Sequence, residues 1–174
     1  MSTARSRHGL QLDRSARRRL LPRVLSLLLV TASLSACAII TGPDDEWDRE
    51  QRDLSRARRL WSAQRIDDYE FVVRRECFCP MGGVAVRVQV RNYLVVSREI
   101  DLTGVAVPSS LAHQYPSIDG LFGLIQGAID DRAYEITTRY DSSYGFPTDV
   151  YIDYDRRVVD EEEGYVLLRF RELP

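Results

Sequence analysis

Residues 84 to 90 read VAVRVQV: Val84, Val86, Val88 and Val90 fall on one side of an extended chain, and Ala85, Arg87 and Gln89 on the other. Alternation of this kind marks a half-buried strand, and a sheet with one wetted face is typically antiparallel. Upstream, Tyr69, Phe71 and Val73 keep the same period of two. Downstream, a tight turn at Asn92 leads into a third strand from Leu94 to Ile100. A looser stretch, Leu102 to Pro116, ends where Ser117 can cap a helix whose Ile118, Leu121, Phe122, Ile125, Ala128 and Ile129 form one apolar face. Three more strands follow: Tyr134 to Tyr140, then Val150 to Tyr154 after a turn at Asp141 to Pro147, and Tyr165 to Arg171 after an acidic turn.

Before the first strand, Asp44 to about Ile66 carries a helical stripe of Trp47, Leu54 and Trp61, seven residues apart, widened by Ala57 and Leu60. Acids at 44 to 46 and arginines at 56, 58, 59 and 65 complement the helix dipole. Packing on its own sheet is the expected use of the stripe, ahead of a partner or lipid surface. The order helix, three strands, helix, three strands lacks the regular alternation of a parallel sheet. It predicts an α+β fold, an antiparallel sheet of about six strands with two helices on one side. The recurring block raises the idea of a duplicated half, without repeated residues to support it.

The chain's beginning reads differently. Residues 1 to 23 hold seven arginines against one acid, Asp13, and an apolar run from Val24 to Leu34 follows. A basic segment followed by a short apolar one is the pattern of an export signal. A transmembrane helix needs about 20 apolar residues. Leu34-Ser35-Ala36-Cys37 resembles the lipobox of bacterial lipoproteins. That resemblance implies a lipoprotein signal peptide over residues 1–36, cleavage before Cys37, and a thioether-linked diacylglycerol with an acylated (palmitate-type) amine there. Several acyl chains make such an anchor stable where one is marginal. Residues 37–43 then form a short tether, and residues 44–174 a single α+β domain held close to the membrane. Ala38 lacks the aspartate that retains some lipoproteins at inner membranes, which favours the outer membrane where two exist. The expected location is the bacterial cell envelope, facing the periplasm or exterior.

The chain's 24 basic and 26 acidic side chains lose seven and one with the leader, leaving 17 against 25, a formal charge of −8. A body this acidic is repelled by nucleic acid and by anionic headgroups, so no nucleic-acid partner is expected.

Together, CFCP at 77 to 80, PSIDGLF at 116 to 122, YDSSYGFPT at 140 to 148, and YID before an acidic turn and Gly164-Tyr165 resemble domain of unknown function 6174, an uncharacterised bacterial lipoprotein family. The resemblance runs from about Trp61 to Phe170. It implies a small exported domain, often lipid-anchored, and carries no activity. It assigns the CFC pair no chemistry.

The residues themselves leave several uses of that pair open. With Cys37 taken by lipid, Cys77 and Cys79 are an even pair in an oxidising compartment, so a mutual disulfide is the first hypothesis. Extended residues two apart have Cα atoms about 6.6 Å apart, near the top of the range of about 4.4–6.8 Å for a bridge, so the chain must kink. A redox switch, a Cu(I) set with Met81, and two inert reduced thiols are the alternatives. Zinc wants four ligands, and the body has one histidine, His113. The stretch containing Tyr140, Asp141, Phe146 and Asp153 is a candidate surface for a glycan or an envelope protein, although sheet packing explains most of it. The acidic cluster from Asp153 to Glu163 lacks EF-hand spacing and reads as a solvated hairpin tip. No GxSxG elbow, HExxH helix or phosphate-binding glycine loop occurs. The expectation is a non-enzymatic binding or structural domain without a cofactor, or alternatively a periplasmic redox or Cu(I) protein acting through Cys77, Cys79 and Met81.

Overall fold

The sheet is antiparallel throughout, and its order shows how the chain is wound. In the computed structural model, which describes residues 46–158 and 160–174, the elements are α1 (Glu46–Gln64), β1 (Tyr69–Glu76), β2 (Ala85–Arg91), β3 (Leu94–Ile100), a short 3-10 turn (Ala112–Gln114), α2 (Ile118–Asp130), β4 (Glu135–Tyr140), β5 (Pro147–Asp153) and β6 (Glu163–Glu172). The strands lie in the order β3-β2-β1-β6-β5-β4. Two meanders thus meet at the central β1–β6 pair. Helix, three strands, helix, three strands is the observed order, as the sequence predicts. The expected signal peptide, Cys37 and the expected tether lie outside the described residues. Among those residues no helix is long and apolar enough to cross a membrane.

The halves are not equivalent. The first strand of the first meander, β1, is central, whereas the first strand of the second, β4, is at an edge. A simple duplication would place both alike, so the idea of a repeated half is not supported.

Period-two patterning decides which side chains meet the helices. Phe71 faces Val88 and Val73 faces Val86 across β1 and β2, and all four are buried. Leu54, Ala57 and Trp61 of α1 and the whole predicted face of α2 close over this layer. Ser117 caps α2 as expected, its Oγ accepting from the Gly120 N–H at 3.1 Å. Two expectations for α1 are corrected. Leu60 sits at the exposed rim, and the helix ends at Gln64, with Arg65 in the left-handed region (φ 56°) that breaks the hydrogen-bond run. No basic residue therefore occupies its last turn.

Aromatic rings fill the centre. Trp61 meets Tyr69 edge-on at 5.3 Å and Phe170 at 5.8 Å, and Phe146 lies 4.7 Å from Phe170. Phe170 reaches this side through a bulge: Val72 pairs with Arg169 but Val73 with Leu167, leaving Leu168 unpaired and half-exposed. The turn after β4 is seated against α1 by Gly145 (φ 87°), where a Cβ would stand 2.5 Å from the Ala57 carbonyl oxygen. The opposite face of the sheet carries ion pairs, including Arg87 with Glu99 at 3.2 Å and Arg171 with Glu70 at 2.9 Å.

Candidate functional site

The segment that joins β1 to β2 is a tight, hydrogen-bonded loop that returns on itself. Gly83 N–H donates to Arg75 O at 2.8 Å, Gly82 N–H to Cys79 O at 3.0 Å, and Val84 N–H to Met81 O at 3.1 Å. A Cβ on Gly82 would stand 2.4 Å from the Cys77 carbonyl oxygen, which explains why the turn after Pro80 needs a residue without one. The kink demanded by the cysteine spacing is present. Cys77 and Cys79 have Cα atoms 5.3 Å apart, and their sulfurs are at disulfide distance. Between them Phe78 stands 85% exposed at the tip.

Beneath the loop lies a charge that the sequence reading did not single out. Arg75 continues the Tyr69, Phe71, Val73 register onto the covered face and is only 7% exposed. Its Nη1 donates to Gln114 Oε1 at 2.5 Å and to Cys79 Sγ at 3.3 Å, and its Nη2 donates to Glu163 Oε1 at 3.0 Å. Tyr165 lies under the guanidinium, 5.6 Å from ring centre to Cζ, and its hydroxyl donates to the same Glu163 oxygen at 2.7 Å. Burial first, then the adjacent Glu163 carboxylate, pushes the Tyr165 hydroxyl well above its ordinary pKa. Tyr115 is raised by burial too, and its hydroxyl donates to Met81 O at 3.3 Å. The buried cation is thus paired, as burial requires, yet Arg75 Nε is buried with no partner. Period two alone could have flagged Arg75. Nothing local to Gln114 or Glu163 announces their part in it.

Met81 packs against the edge of the hydrophobic core, and His113 is exposed on the 3-10 turn. Among the described residues no three His, Cys, Asp or Glu side chains are gathered as a metal-holding group.

The four residues proposed as a binding surface do not form one. Phe146 is core, between Trp61, Tyr144 and Phe170. Asp153 pairs with Glu135 at one end of the β4–β5 hairpin, while Tyr140 pairs with Pro147 at the other. The register of that hairpin separates what sequence proximity suggested. Tyr140 and Asp141 do share a cavity of about 320 Å³ with Asp53, Arg56 and Thr138. There the Asp141 carboxylate is occupied by the Ser143 and Tyr144 N–H groups, both at 2.8 Å, and burial pushes the Tyr140 hydroxyl up to about 12. The acidic hairpin tip is internally tied. Asp155 accepts from Arg157 Nη2 at 2.6 Å, which holds its carboxyl down at about 2, and its N–H donates to the Glu161 carboxylate.

A family of unknown function, DUF6174, matches residues 53–172, and the chain belongs to that family. No curated protein and no solved structure matches the chain.

Proposed function

We propose that this member of the family is a lipid-anchored protein of the bacterial cell envelope, tethered through Cys37, whose acidic body binds another envelope protein through the Cys77–Cys79 loop. The anchor rests on the arginine-rich leader, the apolar run and the lipobox-like LSAC ahead of a short tether. The binding role rests on one observation: Phe78, 85% exposed, is held out by a short loop whose base is pinned by buried Arg75. Aromatic side chains dominate binding hot spots, and a loop fixed in advance loses little freedom when a partner closes on it.

Two experiments test the reading. Intact mass of the protein extracted from the membrane fraction is expected to show a chain that begins at Cys37 and carries acyl chains there, and an unacylated Cys37 would refute the lipid anchor. A photo-crosslinking phenylalanine analogue at position 78, irradiated in cells, is expected to give one discrete protein adduct that the same group at exposed Arg59 of α1 does not give. Equal, diffuse labelling from both positions would overturn the binding role.

A further inference from the structure

We propose that the Cys77–Cys79 pair is an oxidising thiol–disulfide exchange centre that accepts two electrons from a protein dithiol, with Cys77 the sulfur attacked and Cys79 the leaving sulfur held by Arg75. The inference goes beyond a binding loop and rests on that loop being bridged. Its ground is an asymmetry. Arg75 Nη1 lies 3.3 Å from Cys79 Sγ, while among the described residues no donor is placed on Cys77 Sγ. An N–H directed at a neutral disulfide sulfur gains little, but the same N–H directed at a thiolate is a charge-assisted bond. The contact therefore favours the cleaved state.

The charges around Cys79 are few. Arg75 is the near cation, and Glu163 of β6 is its counter-ion, shared with the Tyr165 hydroxyl. Glu76 is engaged by Arg74 at 2.6 Å, and Gln114, from the 3-10 turn, is neutral. The unpartnered Arg75 Nε leaves the guanidinium with donor capacity that its present acceptors do not use. A neighbouring cation lowers a thiol's pKa, and a pair whose reduced form is stabilised is the stronger oxidant. The bridge spans a single intervening residue, so it contributes little loop-closure entropy that reduction would forfeit.

The exchange balances as follows. One thiolate of the partner dithiol attacks Cys77 Sγ, forming a partner–Cys77 disulfide as the Cys77–Cys79 bond breaks and its electron pair passes to Cys79 Sγ, beside Arg75. The partner's second thiolate then attacks its own sulfur in that mixed disulfide and expels the Cys77 thiolate. The partner leaves as a disulfide, two electrons reside on the cysteine pair, and protons from the two partner thiols remain with the pair or pass to solvent.

The test uses the full exported chain and glutathione as the probe thiol. Intact mass without reductant comes first: a bridged pair resists alkylation, and two alkylatable thiols at this stage would overturn both the bridge and the exchange. A bridged protein that then fails the later steps loses only the exchange. Acid-quenched mixed disulfides are expected to map to Cys77, and mapping to Cys79 refutes the assigned polarity. In a glutathione redox buffer, Arg75→Gln is expected to shift the equilibrium about tenfold toward the disulfide, about 30 mV for this two-electron couple. Glu163→Gln, whose amide oxygen still accepts from Arg75 and Tyr165, is expected to shift it several-fold toward the dithiol. An unchanged equilibrium in folded Glu163→Gln, or a shift in the same direction as Arg75→Gln, overturns the role of Arg75.

Discussion

Arg74 and Arg75 are neighbours of identical chemistry on one strand, and they have opposite fates. Arg74 points to the uncovered face, where its side chain is 37% exposed and pairs with Glu76 two residues on, at 2.6 Å. Arg75 points under the CFCP loop and joins residues from the 3-10 turn, β6 and the loop itself. The first charge keeps its water and gains little from its partner. The second has given up its water and depends on every partner it has. A strand's period of two converts one step in sequence into this change of role.

Substitutions test how far the two arginines differ. Arg75→Ala leaves part-exposed Glu163 without its cation, strips Gln114 of a donor and opens a space under the loop, and is expected to cost about 2–4 kcal/mol in urea unfolding. A cost no larger than that of Arg74→Ala would erase the distinction. Gly82→Ala, which drives a methyl toward the Cys77 carbonyl, is expected to cost about 1–3 kcal/mol by distorting the loop over Arg75. If Gly82→Ala unfolds as the wild type does, the loop is not the fixed cap described. Cys77→Ser with Cys79→Ser closes no ring, and chain entropy alone sets the loss at about 1–2 kcal/mol for so short a loop. A loss near that of Arg75→Ala would mean that the bridge, and not the buried ion pair, holds this end together.

Glu50 is the acidic counterpart of Arg75, a charge-bearing group drawn partly out of water. It lies in the layer between α1 and β4, accepting from Thr138 Oγ1 at 2.8 Å, and burial, the leading cause, raises its pKa above the ordinary 4.5. The folded state therefore holds this proton more tightly than the unfolded chain does. Its contribution to stability is complete below the ordinary carboxylate range and is lost as pH rises through the raised folded value. Glu50→Gln is accordingly expected to be more stable than wild type at pH 7 and equal to it near pH 3, by thermal unfolding at both pH values. A destabilised variant at pH 7 would show that the ionised carboxylate is favoured there. The smallest effects belong to the exposed groups. Arg74→Ala and Phe78→Ala should each stay within about 0.5–1 kcal/mol of wild type, and a larger loss at Phe78 would mean that the tip packs on the body.

Much of this fold is legible in local pattern. Val86, Val88 and Val90 declare their buried side, Ser117 starts α2 where a capping residue should, and β3 occupies the residues expected after the turn at Asn92. The pattern fails where the period slips. Strict alternation after Tyr165 and Leu167 would turn Phe170 to solvent, and the bulge at Leu168 returns it to Trp61. At the candidate site, the sequence offers a Cys77–Cys79 bridge as the first of several readings, and the two sulfurs are at disulfide distance, whereas the partners of the cation beneath them are not legible in it.

The sequence alone determined the helix and strand content, the covered side of the strands that alternate and the sign of the body's charge. These depend on interactions within a few residues, where steric preference and apolar period act without reference to the rest of the chain. Only the tertiary structure decided that β1 lies beside β6, which brings Glu163 to Arg75 across 88 positions, and that the 3-10 turn packs there too, which brings Gln114 across 39. A buried charge is satisfied by whichever polar group the sheet order carries to it, and that order is set by the burial of the whole apolar layer, not by any residue's neighbours in sequence.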